Sequence, residues 1–372
     1  MNPTTMTTAA AAERGPAART GVLRRWPEWA PWAATLWALG YGLTALGWTL
    51  TGAGFPMGSG DADREMSLLG GVPADVGAPL FAAVALAAAG TGAVMARYRP
   101  GAPVPRWWRR FAVGFGAALT VVLLVVVPDT RILAVVGYLP MIVFKAPFDA
   151  EIRGQLGDAL GVEHVHQLVA IAGGFLWAAA TVVYARRTVG SCARCGRPDR
   201  SAAVATVLRR ARAAAYVAAT IPALYAVTRW IWVAGVPLGI DADQHAEGMA
   251  DGSLWSGAWL GSFALVGTVL TLGLVQRWGE VFPRWIPVLR GRRVPVGLAV
   301  VPASVVAVLV TSGGLALVSA GFSEGLISAD EWAAVGPALL WPLWGVALGW
   351  ATLAYWLRRR GECADCGAAD LR

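Results

Sequence analysis

Val294-Pro-Val-Gly-Leu-Ala-Val-Val-Pro-Ala-Ser-Val-Val-Ala-Val-Leu-Val-Thr-Ser-Gly-Gly-Leu-Ala-Leu-Val318 runs for 25 residues without a charge. As a helix rising about 1.5 Å per residue, it exceeds the roughly 30 Å hydrocarbon core of a bilayer. Arg290, Arg292 and Arg293 stand just before it. The rest of the chain has the same character. Of its 372 residues 56% are apolar and only 15% are charged, with a mean hydropathy of +0.55. A soluble globular protein carries about 25% charged residues, so too little polar surface exists here to cover a water-exposed fold. Length alone would accommodate two or three soluble domains, but apolar runs of this kind recur throughout, and they predict a polytopic membrane protein.

Eight spans are expected, near 32–54, 77–97, 111–128, 164–185, 211–236, 254–276, 294–318 and 333–357. The basic residues number 31, and Lys145 is the single lysine among them, giving a net charge of +8. Such a balance can signal nucleic acid, but the arginines sit in short clusters between apolar runs and act as topology signals. Every second loop is basic: the N-terminal tail, 97–110, 186–212, 277–293 and 358–372 together hold 26 of the 31. The intervening loops hold 16 of the 23 acids, Asp149 and Glu151 included. By the positive-inside rule both termini are cytoplasmic, in the cell membrane. Residues 1–29 read as a polar, disordered tail without a clear signal-peptide cleavage site. A ninth span at 131–147 would break the alternation. That stretch is short and carries Pro140 and Lys145, so it is expected to be re-entrant or to lie on the outer surface. Many of the 19 tryptophans, Trp107, Trp108, Trp278 and Trp285 among them, fall at inner boundaries as interfacial anchors do.

Three stretches recur in order in the two halves. Gly54-Phe-Pro56-Met-Gly58 matches Gly235-Val-Pro237-Leu-Gly239, and each precedes an Asp-Ala-Asp, Asp61/Asp63 and Asp241/Asp243. Pro105-Arg106-Trp107 matches Pro283-Arg284-Trp285. Ala180-Thr181-x-x-Tyr184 matches Ala351-Thr352-x-x-Tyr355, and at the same offset Cys192-x-x-Cys195-Gly196 matches Cys363-x-x-Cys366-Gly367. The expected architecture is an all-α integral membrane bundle: eight helices as two tandem four-helix repeats, 30–188 and 211–360. A cytoplasmic linker at 189–210 and a tail at 361–372 carry the cysteines. Four spans is an even number, so both copies enter the membrane in one direction and are related by a parallel pseudo-two-fold. The 131–163 insertion breaks that symmetry.

All four cysteines lie in the two C-x-x-C-G motifs, each just past arginines on the expected cytoplasmic side. A structural disulfide is disfavoured in that reducing compartment. Two thiolate knuckles make a four-cysteine zinc site, and the pseudo-symmetry would let Cys192, Cys195, Cys363 and Cys366 share one ion, clamping repeat to repeat. A redox dithiol and unliganded thiols are the other readings. The former would want a lowered pKa beside a helix start, whereas these pairs follow helix ends.

Arg229 is the one charge placed inside a span, with Asp241, Asp243 or the acids of 149–163 as expected partners. Beside Trp230 and Trp232, snorkelling to the outer interface is the plainer reading. His164, His166 and His245 all fall on the outer side, where they form a candidate polar cluster with Asp61, Asp63, Asp241 and Asp243. Histidines at i, i+2 on a helix point apart, so solvated loop ends are the simpler account. The basic aromatic loops at 105–110 and 279–293 suit anionic inner-leaflet lipid better than nucleic acid, and no nucleic-acid partner is expected. No phosphate-binding glycine loop, nucleophile triad or H-E-x-x-H is present.

Tyr225-Ala-Val-Thr-Arg229-Trp, Gln276-Arg-Trp-Gly-Glu280-Val-Phe-Pro-Arg284-Trp and Gly291-Arg-Arg-Val-Pro stand in the second half. Through them the chain, from about residue 30, resembles actinobacterial multi-span membrane proteins of uncharacterised function. That resemblance implies a cytoplasmic-membrane location and carries no activity, ligand or site residue. Three functions compete. A small transporter for an unidentified small-molecule ligand is favoured by the duplication, a non-transporting scaffold or regulatory protein by the clamp, and an enzyme on a lipid or quinone-like substrate by the thiols and outer histidines. A water-filled path to Arg229 would support the first, a dry seam between repeats the second, and a lateral opening near His164 and His166 the third.

Overall fold

The computed structural model describes residues 25–148, 154, 161–197, 202–323, 331–363 and 365–367. Among them the secondary structure is helical, with a single isolated β-bridge, Val281 to Arg293. The helices are α1 (Trp26–Thr51), α2 (Ala74–Arg97) and α3 (Arg106–Val121, extended by a π-helical turn Val122–Val126). Then come α4 (Thr130–Lys145), α5 (Val162–Arg187), α6 (Ala202–Val233) and α7 (Ala242–Ala250). α8 (Ser253–Gly273), α9 (Val296–Ser323), α10 (Trp332–Leu339) and α11 (Trp341–Arg359) complete the chain.

Six segments are long and apolar enough to cross a membrane: α2, α3 with its π turn, α5, α8, α9, and α10 with α11. Leu36, Leu50, Leu270, Val301 and Val346 are largely exposed on helix faces, the arrangement a lipid-facing surface requires. α1 and α6, at 26 and 32 residues, are long enough to span yet fall outside the six. Trp37, Tyr41, Trp48 and the threonines and glycines among them dilute α1, and Arg209, Arg210, Arg212 and Arg229 dilute α6.

Two boundaries differ from the sequence reading. α1 starts at Trp26 with Pro27 in its first turn, so residues 26–29 belong to the helix and not to the tail. Proline at the first helical positions gives up an amide that would lack a partner anyway. Residues 1–24 lie outside the described ones. α6 starts at Ala202, so 202–210 is helix where a linker was expected. Alanine and arginine are strong helix formers, and propensity carries the helix past the end of its apolar stretch. The Val207 carbonyl is held there by the Trp350 indole at 3.1 Å.

Within each half the same helix pairs touch. α1 packs on α2 and on α5, and α3 on α5; α6 packs on α8 and on α11, and α9 on α11. Small residues set these contacts. A Cβ on Gly42 of α1 would lie 3.0 Å from the Leu86 side chain of α2, and one on Gly92 of α2 would lie 2.7 Å from the Thr35 hydroxyl of α1. Between α9 and α11 a Cβ on Gly345 would lie 2.6 Å from the Ala307 carbonyl oxygen, so only glycine allows this approach. In lipid, where apolar burial drives little, close backbone approach of this kind supplies the dispersion energy.

The halves meet along an apolar seam. Leu124, Ile132 and Ile171 pack against Leu309, with Leu133, Val136, Phe175, Val305 and Val308 around them. α4 supplies much of it, running against α9 and touching α5 and α8. Its start is fixed by Asp129, whose carboxylate accepts the Arg131 amide at 2.9 Å as an N-cap does.

Candidate metal centre

α5 and α11 both end in adjacent arginines, Arg186-Arg187 and Arg358-Arg359, where the negative end of a helix dipole favours cations. Arg187 donates to the Pro27 carbonyl and Arg358 to that of Leu274, so each helix end is tied to its own half. A few residues on, each chain makes a C-x-x-C-G turn of the same geometry. The Gly196 amide donates to the Cys192 carbonyl at 2.8 Å, and the Gly367 amide to that of Cys363 at 2.8 Å. Gly196 and Gly367 take φ of 69° and 68°, left-handed values that glycine adopts without strain.

The two turns face each other. Cys192 and Cys363 Sγ are 3.9 Å apart and Cys195 and Cys366 Sγ 3.5 Å, and all four sulfurs lie within 4.8 Å of one another. None is in a disulfide. With zinc–sulfur bonds of about 2.3 Å, a tetrahedron has edges of roughly 3.8 Å. The donor set therefore fits a tetrathiolate ion with minor adjustment. Cys195 and Cys363 are buried, Cys192 is half-buried and Cys366 exposed.

Arginines surround the sulfurs. Arg186 donates to the carbonyls of Ala193 and Arg194, Arg360 to that of Cys195, and Arg197 to that of Gly361. Arg194 pairs with Asp365 at 2.9 Å. A cavity of about 220 Å³ lies beside Cys195 and Cys363, lined by Arg194, Arg197, Trp356 and Arg360. Four thiolates on a divalent ion leave a net charge of −2, which this positive collar offsets. Burial pushes the Cys195 thiol up to about 12. Cys363 goes the other way despite its burial: amides of Asp365 and Cys366 donate to it and hold it at about 7.

No family model, curated protein or solved structure matches the chain. The chemistry of the site thus has to be read from its own residues. Among the described residues, these cysteines are the one group of three or more His, Cys, Asp or Glu side chains positioned to hold a metal.

The other residues singled out in the sequence are distributed over separate contacts. Arg229 does not meet Asp241 or Asp243. Its guanidinium donates to the carbonyls of Ala333 and Ala334 at 3.1 Å each, over the rings of Tyr225 and Trp232. The reason is local: Pro337 has no amide to bond the Ala333 carbonyl four residues back, and Arg229 takes that place. Asp149 and Glu151 lie outside the described residues.

Asp61 and Asp241 play the same part in the two Asp-Ala-Asp stretches, accepting the amides of Asp63 and Asp243. Asp241 thereby caps α7. Asp61 is also bound by both terminal nitrogens of Arg131, at 2.9 and 2.7 Å, and Arg131 reaches Asp129 at 2.6 Å. His166 shares a 2.6 Å hydrogen bond with the Tyr41 hydroxyl, and His245 bonds the Trp232 carbonyl through Nε2. His164 and His166 do not converge with His245 on one group. The Asp61–Arg131–Asp129 network was not foreseen. Asp129 just before an apolar run was the available capping signal, but its partner Asp61 is about 70 residues away.

Proposed function

We propose that the chain is an eight-span, two-repeat membrane protein whose halves are clamped on the cytoplasmic face by one structural zinc ion. In this reading it is a non-transporting scaffold or regulatory protein. The observation that carries it is the meeting of Cys192 and Cys195 from one half with Cys363 and Cys366 from the other. Two further features support a parallel two-fold through that point. The facing sulfur pairs are each 171 residues apart, and so are the ion-paired Arg194 and Asp365. Equivalent helices pair alike in the two halves. The apolar seam and the half-buried, backbone-bonded Arg229 favour a fixed assembly over an alternating one. The duplicated architecture keeps transport as the second reading, since such repeats enclose the midplane sites of many carriers.

The test is metal content of the purified full-length protein together with thiol titration. One zinc per chain, with all four thiols protected until a chelator is added, is expected. Absence of bound metal, with thiols that oxidise readily in pairs, would refute the clamp and favour a redox role.

A further inference from the structure

α8, α9 and the segment between them line one groove in the second half. This segment is a short hairpin. The Phe282 amide donates to the Arg292 carbonyl at 3.0 Å, the Gly291 amide to that of Phe282 at 3.1 Å and the Val294 amide to that of Glu280 at 3.0 Å. Its tip turns apolar side chains outward: Trp285 and Val288 are each 79% exposed. Beneath it lies a groove of about 420 Å³, within the range of small-ligand sites. Leu270 of α8, Leu274, Trp278 and Phe282 of the segment that follows it, and Ala299 and Ala303 of α9 are among the residues that line it. The lining is almost wholly apolar, so a polar solute would lose its hydration there without replacement. Around the hairpin Arg284, Arg290, Arg292 and Arg293 are exposed, and among the described residues none has an acidic partner.

The first half has no such hairpin between the corresponding helices. There eight residues join α2 to α3, against 22 from α8 to α9. A bulk bilayer solvates convex helix faces in both halves alike and calls for no concave cleft roofed by a basic hairpin in one of them. An apolar cleft with uncompensated positive charge at its rim complements one chemistry: a hydrocarbon tail attached to an anionic head. We propose that this groove holds one acyl chain of an anionic phospholipid, with its phosphate met by the hairpin arginines. The site depends neither on the metal centre nor on a transport activity, only on the helices lying in a bilayer.

The test uses full-length protein in lipid nanodiscs containing a phosphatidylglycerol with a photoactivatable diazirine in its acyl chain, or a phosphatidylcholine with the same chain. After photolysis, the labelled residues are mapped by mass spectrometry. Labelling at Leu270, Phe282, Ala299 and Ala303 is expected to favour the phosphatidylglycerol probe by about fivefold or more, the effect of even one arginine at a membrane surface. Changing Arg284, Arg290, Arg292 and Arg293 to Gln should abolish that preference. Ala303→Trp, which fills the groove, should lower labelling there and leave labelling of α2 and α3 unchanged. Equal labelling by the two probes, or labelling no denser in the groove than on α2 and α3, would overturn the proposal. Both comparisons hold on the unaltered protein, so they decide the matter even if Ala303→Trp does not fold.

Discussion

Arg194 and Asp365 occupy the same position in their respective C-x-x-C turns, and the proposed two-fold would bring such positions face to face. Identical residues there would set like charges against each other beside the sulfurs; here the copies differ in sign and pair at 2.9 Å. Asp365 is 44% exposed, so the pair contributes modestly, within the range of about 0–1 kcal/mol for surface ion pairs. Asp365→Asn is therefore expected to weaken zinc retention only slightly in a chelator competition. Asp365→Arg should weaken it clearly, and the exchange Arg194→Asp with Asp365→Arg should restore it. The thiols add a pH dependence with a definite sign. Cys195, pushed up to about 12, keeps its proton through neutral pH until metal displaces it, whereas Cys363 at about 7 is ionised above neutrality and protonated below. Uptake must release protons, so affinity falls as pH falls. Between pH 8 and pH 6 a loss of more than about tenfold is expected in a zinc titration, with proton release measurable in weakly buffered solution.

Among helices, the contacts that matter are those where a backbone group would otherwise go unpaired or two backbones come close. Pro337 and Arg229 are such a couple. Replacing Arg229 by Met, which has no donor, leaves the Ala333 carbonyl unpaired, a cost of about 1–3 kcal/mol for a buried acceptor. With Pro337→Ala the chain itself can supply the missing amide, so the same Arg229 change should cost less. A double-mutant cycle read by thermal unfolding in detergent should give a coupling of about 1 kcal/mol. Additivity of the two changes would show that the guanidinium does not serve that carbonyl. Gly345→Val should cost about 1–3 kcal/mol in the same assay, because its side chain meets the Ala307 carbonyl and Thr311. Most of these helices were legible in the sequence, since a long uncharged run permits little else. The ends of α1 and α6 were not, because alanine, arginine and proline extend a helix beyond its apolar stretch. Arg229 was legible as an unusual charge but not by its partner, which Pro337 creates more than 100 residues further on.

At the scale of the whole molecule, the cysteine cluster was legible because its motif occurs twice at one offset, and no single turn could have revealed the pairing. The Asp61–Arg131–Asp129 network stayed hidden because it joins the segment between α1 and α2 to the start of α4, where the repeat pattern gives no guidance. The two regions divide the work of joining the halves. The seam around Leu309 and α4 holds them by packing along the helices, and the proposed zinc on the four thiols would hold their ends at the arginine-rich face. A zinc finger has no core without its ion and unfolds when it is removed. Here each half has its own buried cluster, around Trp177 and Tyr184 in one and Leu348 and Tyr355 in the other. Chelation should therefore leave the helical circular dichroism intact while lowering the unfolding temperature and exposing the segment after Arg187 to protease. Cys192→Ser with Cys363→Ser should reproduce both effects without chelator and make the protein insensitive to it. Loss of helical signal on chelation would mean that the metal supports the fold of each half, and an unchanged unfolding temperature would mean that the seam alone holds them.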